Sequence, residues 1–137
     1  MAKTIKNDKL ARRQRTKRRI RRNVIGTDAK PRVSVFRSTK HIYAQVISDE
    51  SQKTIFGVST LDKDFSSRLA NLGDNREEGR TAESKKSVNA AKVVGMMIAE
   101  RMEKEGIKEA VYDRNGFRYQ GRIKALADGM RVAGFKI

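Results

Sequence analysis

The sequence predicts an α/β protein: a mixed sheet built as a three-stranded antiparallel meander, then helix, strand, helix and a short strand, with the helices on one face and a disordered basic arm in front. Three observations carry this prediction. Segments 32–38, 42–47 and 54–60 are rich in β-branched and aromatic residues and are separated by short polar turns. Residues 81–105 repeat apolar side chains at steps of three and four. Ahead of both, eleven of the first 22 residues are Lys or Arg. The domain boundary follows, with a basic arm over residues 1–31 and a globular domain over 32–137.

In the arm, Lys3, Lys6, Lys9, Arg12, Arg13, Arg15, Lys17, Arg18, Arg19, Arg21 and Arg22 face one acid, Asp8, so residues 3–22 carry +10 of the chain's +16. Only Ile5, Leu10, Ala11 and Ile20 are apolar there, too few to bury and too scattered for one helical stripe. Alone the arm is expected to be disordered. On a phosphate backbone it can fold, because each cation that meets a phosphate releases condensed counterions. A solubilising tail or a nuclear-targeting signal is the plainer reading of the same charge.

Gly26 and Pro31 punctuate the exit from the arm. The first two strands then join through the hairpin 38–41, and the third follows a polar turn at 48–53. Residues 61–80 are polar and broken by Gly73 and Gly79, which suggests a mobile loop, although Phe65, Leu69 and Leu72 have the spacing of a short helix. Val88, Ala91, Val94, Ile98 and Met102 line one side of the long helix, which Thr81 can cap and Gly106 can end. A fourth strand is expected at 108–113, a second helix from about Arg122 closed by Gly134, and a short fifth strand at 135–137. Right-handed crossovers would put both helices on one side and leave the other sheet face open if the fourth strand lies beside the first.

Composition narrows function. The chain has no cysteine and one histidine, His41, so disulfide frameworks, thiolate nucleophiles and zinc ribbons are excluded. No apolar run approaches the roughly 20 residues that span a bilayer. The loop 113–122 carries Gly116 and Gly121 at the spacing of a phosphate-cradling nucleotide loop, but Arg122 and Ile123 stand where that loop needs Lys and a hydroxyl. What survives is a glycine-permitted turn running into a helix N-terminus, with Arg114, Arg118, Arg122 and Lys124 interleaved with Phe117 and Tyr119, as RNA binding requires. The competing reading is a tight turn whose aromatics plug the sheet edge. A second candidate is the hairpin, where Tyr43 and Gln45 alternate with Ile42, Ala44 and Val46 and point outward. The order of elements also fits a ribonuclease H fold, but its paired metals need several strand carboxylates, and Asp113 stands alone. Its expected role is to accept hydrogen bonds or orient Arg114.

The motifs RVSVFRSTKHIYAQVI, STLDKD and VYDRNGFRYQGRIKALADGMRVAG, in that order, closely resemble the bacterial form of large-subunit ribosomal protein eighteen. The departures are Asn115 and Phe117 where that family reads Gly and Tyr, and Gln120 where it commonly has His. The resemblance implies a cytoplasmic ribosomal component without catalysis or cofactor. Its implied partners are 5S ribosomal RNA, the large-subunit RNA of the central protuberance and neighbouring large-subunit proteins, not DNA or membrane. The expected RNA contacts are the arm cations named above, Arg32, then Arg37, Ser38, Lys40, His41 and Tyr43 of the hairpin, and Arg114, Asn115, Gly116, Phe117, Arg118, Tyr119, Gln120, Gly121, Arg122 and Lys124 of the loop.

Overall fold

The computed structural model describes residues 2–71 and 88–137, with the side chains of residues 2–6 and 71 left aside. The chain order is α1 (Ala2–Asn23), β1 (Arg32–Arg37), β2 (Ile42–Ser48), β3 (Lys53–Ser59), α2 (Phe65–Asn71), α3 (Val88–Lys104), β4 (Val111–Asp113) and α4 (Arg122–Val132). The sheet order is β3-β2-β1-β4. Strands β1 and β2 pair antiparallel, as do β2 and β3, whereas β1 and β4 run parallel with Ser34 beside Asp113.

Pleat alternation explains the layering. Val33, Val35, Ile42, Ala44, Val46 and Val58 are fully buried on one sheet face, and α3 and α4 lie against it through Ala91, Val94, Ile98, Met102, Ile123, Leu126 and Met130. The two helices cross closely because both are bare where they meet: a Cβ on Gly95 would come 2.0 Å from the Leu126 carbonyl oxygen, and one on Gly129 2.2 Å from that of Lys92. Both helices end in the same way. The amides of Gly106 and Ile107 return to the carbonyls of Glu103 and Met102, and those of Gly134 and Phe135 to Arg131 and Met130, a closure that the positive φ of each glycine permits.

Several expectations are revised. The arm is a helix, not a disordered segment, and it lies on the sheet face expected to be open. The fifth strand reduces to one bridge, Glu109 to Lys136, directly after the Gly134 closure of α4. The fourth strand is only Val111–Asp113. Val88 is exposed rather than core. Within 61–80, a short helix forms from Phe65, whose buried side chains Phe65 and Leu69 hold it to the core. The expected cap at Thr81, the start of the long helix and the glycines at 73 and 79 lie outside the described residues.

Candidate nucleic-acid interface

Helix α1 has two dissimilar sides. Arg13, Thr16, Lys17, Ile20 and Val24 are half-buried and recur at helical spacing, while Lys9, Arg12, Arg15, Arg18, Arg19, Arg21 and Arg22 are exposed. At 100° per residue, Arg15, Arg18, Arg19 and Arg22 fall on the side opposite the half-buried row, with Arg12 on its flank. The inner row is partly cationic because the body answers it with rings and carbonyls as well as with charge. The Arg13 guanidinium lies over Phe117 and Phe36, and Arg21 Nε stands 4.0 Å from Asp113. Burial first, then repulsion from Arg21, holds the Lys17 ammonium below its ordinary pKa. Lys3 and Lys6 carry side chains outside the described residues.

The loop after β4 is built on Asp113, which is fully buried. Its Oδ1 accepts the Asn115 amide at 2.8 Å, and its Oδ2 accepts Arg32 Nη1 at 2.8 Å. Asn115 and Gly116 then take positive φ values of 53° and 79°, which turns the chain back so that the Phe117 amide reaches the Arg114 carbonyl. Arg114 Nη1 donates to the Phe117 carbonyl at 2.8 Å. Arg122, at the start of α4, donates Nη1 to the Ser38 carbonyl at 3.2 Å and so ties the loop to the hairpin. No side chain caps α4, whose preceding residue is Gly121, so its first amides remain open to an anion.

The hairpin is closed by Ser38, whose Oγ accepts the His41 amide at 3.0 Å. The His41 ring is held through Nδ1 on Thr60 Oγ1 at 2.9 Å. Arg37 lies over the same Phe117 ring as Arg13, 5.2 Å from its centroid. Arg13, Arg37 and Arg122 therefore crowd one place. Desolvation lowers the pKa of Arg13 and Arg122, and Arg37 lowers both further. Among the described residues none of the three makes an ion pair. Unanswered like charges gathered beside an uncapped helix end make a place for an external anion.

Some residues expected to touch RNA are not available at the surface. Arg32 is only 5% exposed, with Nε and Nη2 on Asp49 at 3.0 and 2.9 Å and Nη1 on Asp113. It holds the arm exit, β1 and the loop together, since Asp49 Oδ2 also accepts the Gly26 amide at 2.8 Å. Asn115 and Phe117 are 7% and 9% exposed, which leaves neither free to stack on a base. Gly116 lies beneath Arg13. Arg118, Tyr119, Gln120, Gly121 and Lys124 are exposed, as are Arg37 and Lys40, while Arg114, Arg122, Ser38, His41 and Tyr43 are half-buried. Tyr119 accepts a hydrogen bond from Arg131 Nη1 at 2.8 Å.

Two participants are missing from the residues that sequence singles out. Phe36, 43% exposed and edge-on to Phe117, was legible from its alternation with buried Val35. Arg131 had no local signal, since its partner Tyr119 belongs to another element.

Comparison with known proteins extends this picture over almost the whole chain. The family model for ribosomal L18 of archaea, bacteria, mitochondria and chloroplast matches residues 7–137. A protein of Picosynechococcus, named large ribosomal subunit protein uL18, is 48% identical over 129 residues, covering 92% of this chain and 97% of the relative. Proteins of the same name from Prochlorococcus marinus and Thermotoga petrophila are 45% and 44% identical over 130 and 131 residues. They cover 92% and 96% of this chain and 96% and 97% of their own lengths.

Proposed function

Because this chain belongs to the ribosomal L18 family, we propose that it is a structural constituent of the large ribosomal subunit, binding 5S ribosomal RNA and helping attach it to the large-subunit RNA in the central protuberance. The observation that carries this reading is a pair of cationic groups: the exposed row Arg12, Arg15, Arg19 and Arg22 on α1, and Arg37 and Arg122 beside the uncapped end of α4. Such a pair can follow a phosphate backbone along the arm and meet a shaped feature at the loop, where exposed Tyr119 offers a ring and α4 offers amides.

A uniform DNA duplex or a lipid surface would use the arm's charge equally well. It would leave the loop's geometry without a role. Among the described residues no helix is long and apolar enough to cross a membrane. The reading contains no catalysis: Asp113 is the one acid on the four strands, and both its oxygens are committed to Arg32 and the Asn115 amide. Competition is the test: labelled 5S RNA bound at near-physiological salt should resist transfer RNA, duplex DNA and anionic vesicles. Equal displacement by any of the three would refute selective 5S binding.

A further inference from the structure

Tyr119 sits in an exposed turn, 118–121, that closes through the Gln120 amide on the Arg118 carbonyl at 2.9 Å. Its ring is held from outside that turn. Arg131, twelve residues on in the last turn of α4, donates Nη1 to the Tyr119 hydroxyl at 2.8 Å. The same nitrogen reaches Asp128 Oδ1 at 3.2 Å, three residues back, so the guanidinium is itself tethered. The ring also meets Tyr112 edge-on, with centroids 6.2 Å apart. Tyr112 gives firm support, since it packs against the core and its hydroxyl donates to the Ile123 carbonyl at 2.6 Å. Both ends of the relay Asp128, Arg131, Tyr119 and Tyr112 therefore rest on α4. Held in this way, Tyr119 is still 42% exposed and lines a hollow with Tyr112 and Arg114.

We propose that Arg131 is a positioning residue: tethered by Asp128, it pins the Tyr119 ring against Tyr112 and so presents a fixed stacking surface to RNA. A tyrosine on an exposed turn otherwise rotates about its side-chain bonds, and a base or sugar that packs on it must first arrest that motion. Arresting one such side chain weakens binding about two- to tenfold, a loss that a ring already held avoids. Arg131 acts through Tyr119 rather than on a phosphate, because its Nη1 is taken by two acceptors within the chain. Every member of the relay belongs to β4, the loop or α4, so the pin is set whatever conformation the arm takes. The pin stands on contacts within the body. Only its consequence for RNA rests on the function proposed above.

The test uses the full chain with Arg131→Met, which removes the donors and keeps an apolar stem, and Tyr119→Phe, which keeps the ring and removes the acceptor. Arg131→Lys is the conservative control, because a single donor suffices. In the free protein the Tyr119 ring, followed by carbon relaxation, should be ordered in the unaltered chain and in Arg131→Lys, and mobile in Arg131→Met. Affinity for 5S RNA should fall about two- to tenfold in Arg131→Met and in Tyr119→Phe, fall no further in the double variant, and stay near the unaltered value in Arg131→Lys. The slope of log affinity on log salt should not change in either single variant. A lowered slope in Arg131→Met, with Tyr119→Phe binding normally, would overturn the proposal by making Arg131 a phosphate contact. So would additive losses in the double variant, or unchanged affinity in both single variants. Should circular dichroism show Arg131→Met unfolded, Tyr119→Phe carries the test, since it deletes one exposed oxygen. A loosened ring in a chain that shows no preference for 5S RNA over transfer RNA would uphold the pin and refute the 5S reading.

Discussion

The arm and the loop after β4 are both cationic, yet they hold their charge in opposite ways. On α1 the outer arginines stand free on a rod, related only by helical spacing. Around the loop three arginines are tied to oxygens: Arg114 to the Phe117 carbonyl, Arg122 to the Ser38 carbonyl, and Arg131 of α4 to the Tyr119 hydroxyl. The rod can meet any phosphate ladder, whereas the tied set has one shape. Under the proposed function, that difference puts affinity in the arm and discrimination in the body, because phosphate contacts position a protein without identifying its ligand.

The largest effect should come from removing residues 1–22. Binding to every RNA should weaken by orders of magnitude, and the slope of log affinity on log salt should flatten by roughly 0.7 to 0.9 for each phosphate that the arm neutralises. Filter binding across a salt series checks this. Next comes Arg32→Ala, which leaves Asp49 and Asp113 without their shared cation and should destabilise the domain by about 3 to 5 kcal/mol in chemical denaturation. If it instead weakened RNA binding with stability intact, Arg32 would be a surface contact after all.

The sheet and the last two helices were legible because their signals are local. Val33 and Val35 alternate along β1, Ala91 to Met102 repeat along α3, and Gly106 and Gly134 mark where left-handed closure is needed. What was not legible depends on distant partners. Arg13 docks on a carbonyl 102 residues away, and Arg32 is buried by an aspartate 81 residues away. Charge alone marks both as phosphate contacts and says nothing of these distant partners. The arm's helix was hidden for the same reason: its inner row, Arg13, Thr16, Lys17, Ile20 and Val24, is apolar only at its last two positions, and its partners are rings on β1 and the loop.

Smaller effects sharpen the contrast. Tyr119→Ala and Arg122→Ala should each cost 5S RNA about 1 to 3 kcal/mol while costing transfer RNA less, since stacking and helix-end interactions depend on RNA shape. Arg12→Ala should weaken both RNAs alike by under about 1 kcal/mol. Parallel losses for all three variants would erase the distinction between rod and loop. The smallest effect is acid sensitivity at Asp49, whose pKa is lowered chiefly by the hydrogen bonds from Arg32. A carboxylate lowered by folding stabilises the native state above its unfolded pKa, about 3.9, and loses that contribution as pH falls through the folded value. Thermal unfolding from pH 5 down to pH 2 should therefore show a decline that Asp49→Asn reduces.

The central division of labour is tested most directly by the ratio of 5S to transfer RNA affinities, measured for the full chain and for the folded chain beginning at Asn23. The account predicts that both affinities fall steeply on truncation while their ratio persists. A ratio that collapsed to one would place discrimination in the arm and contradict it.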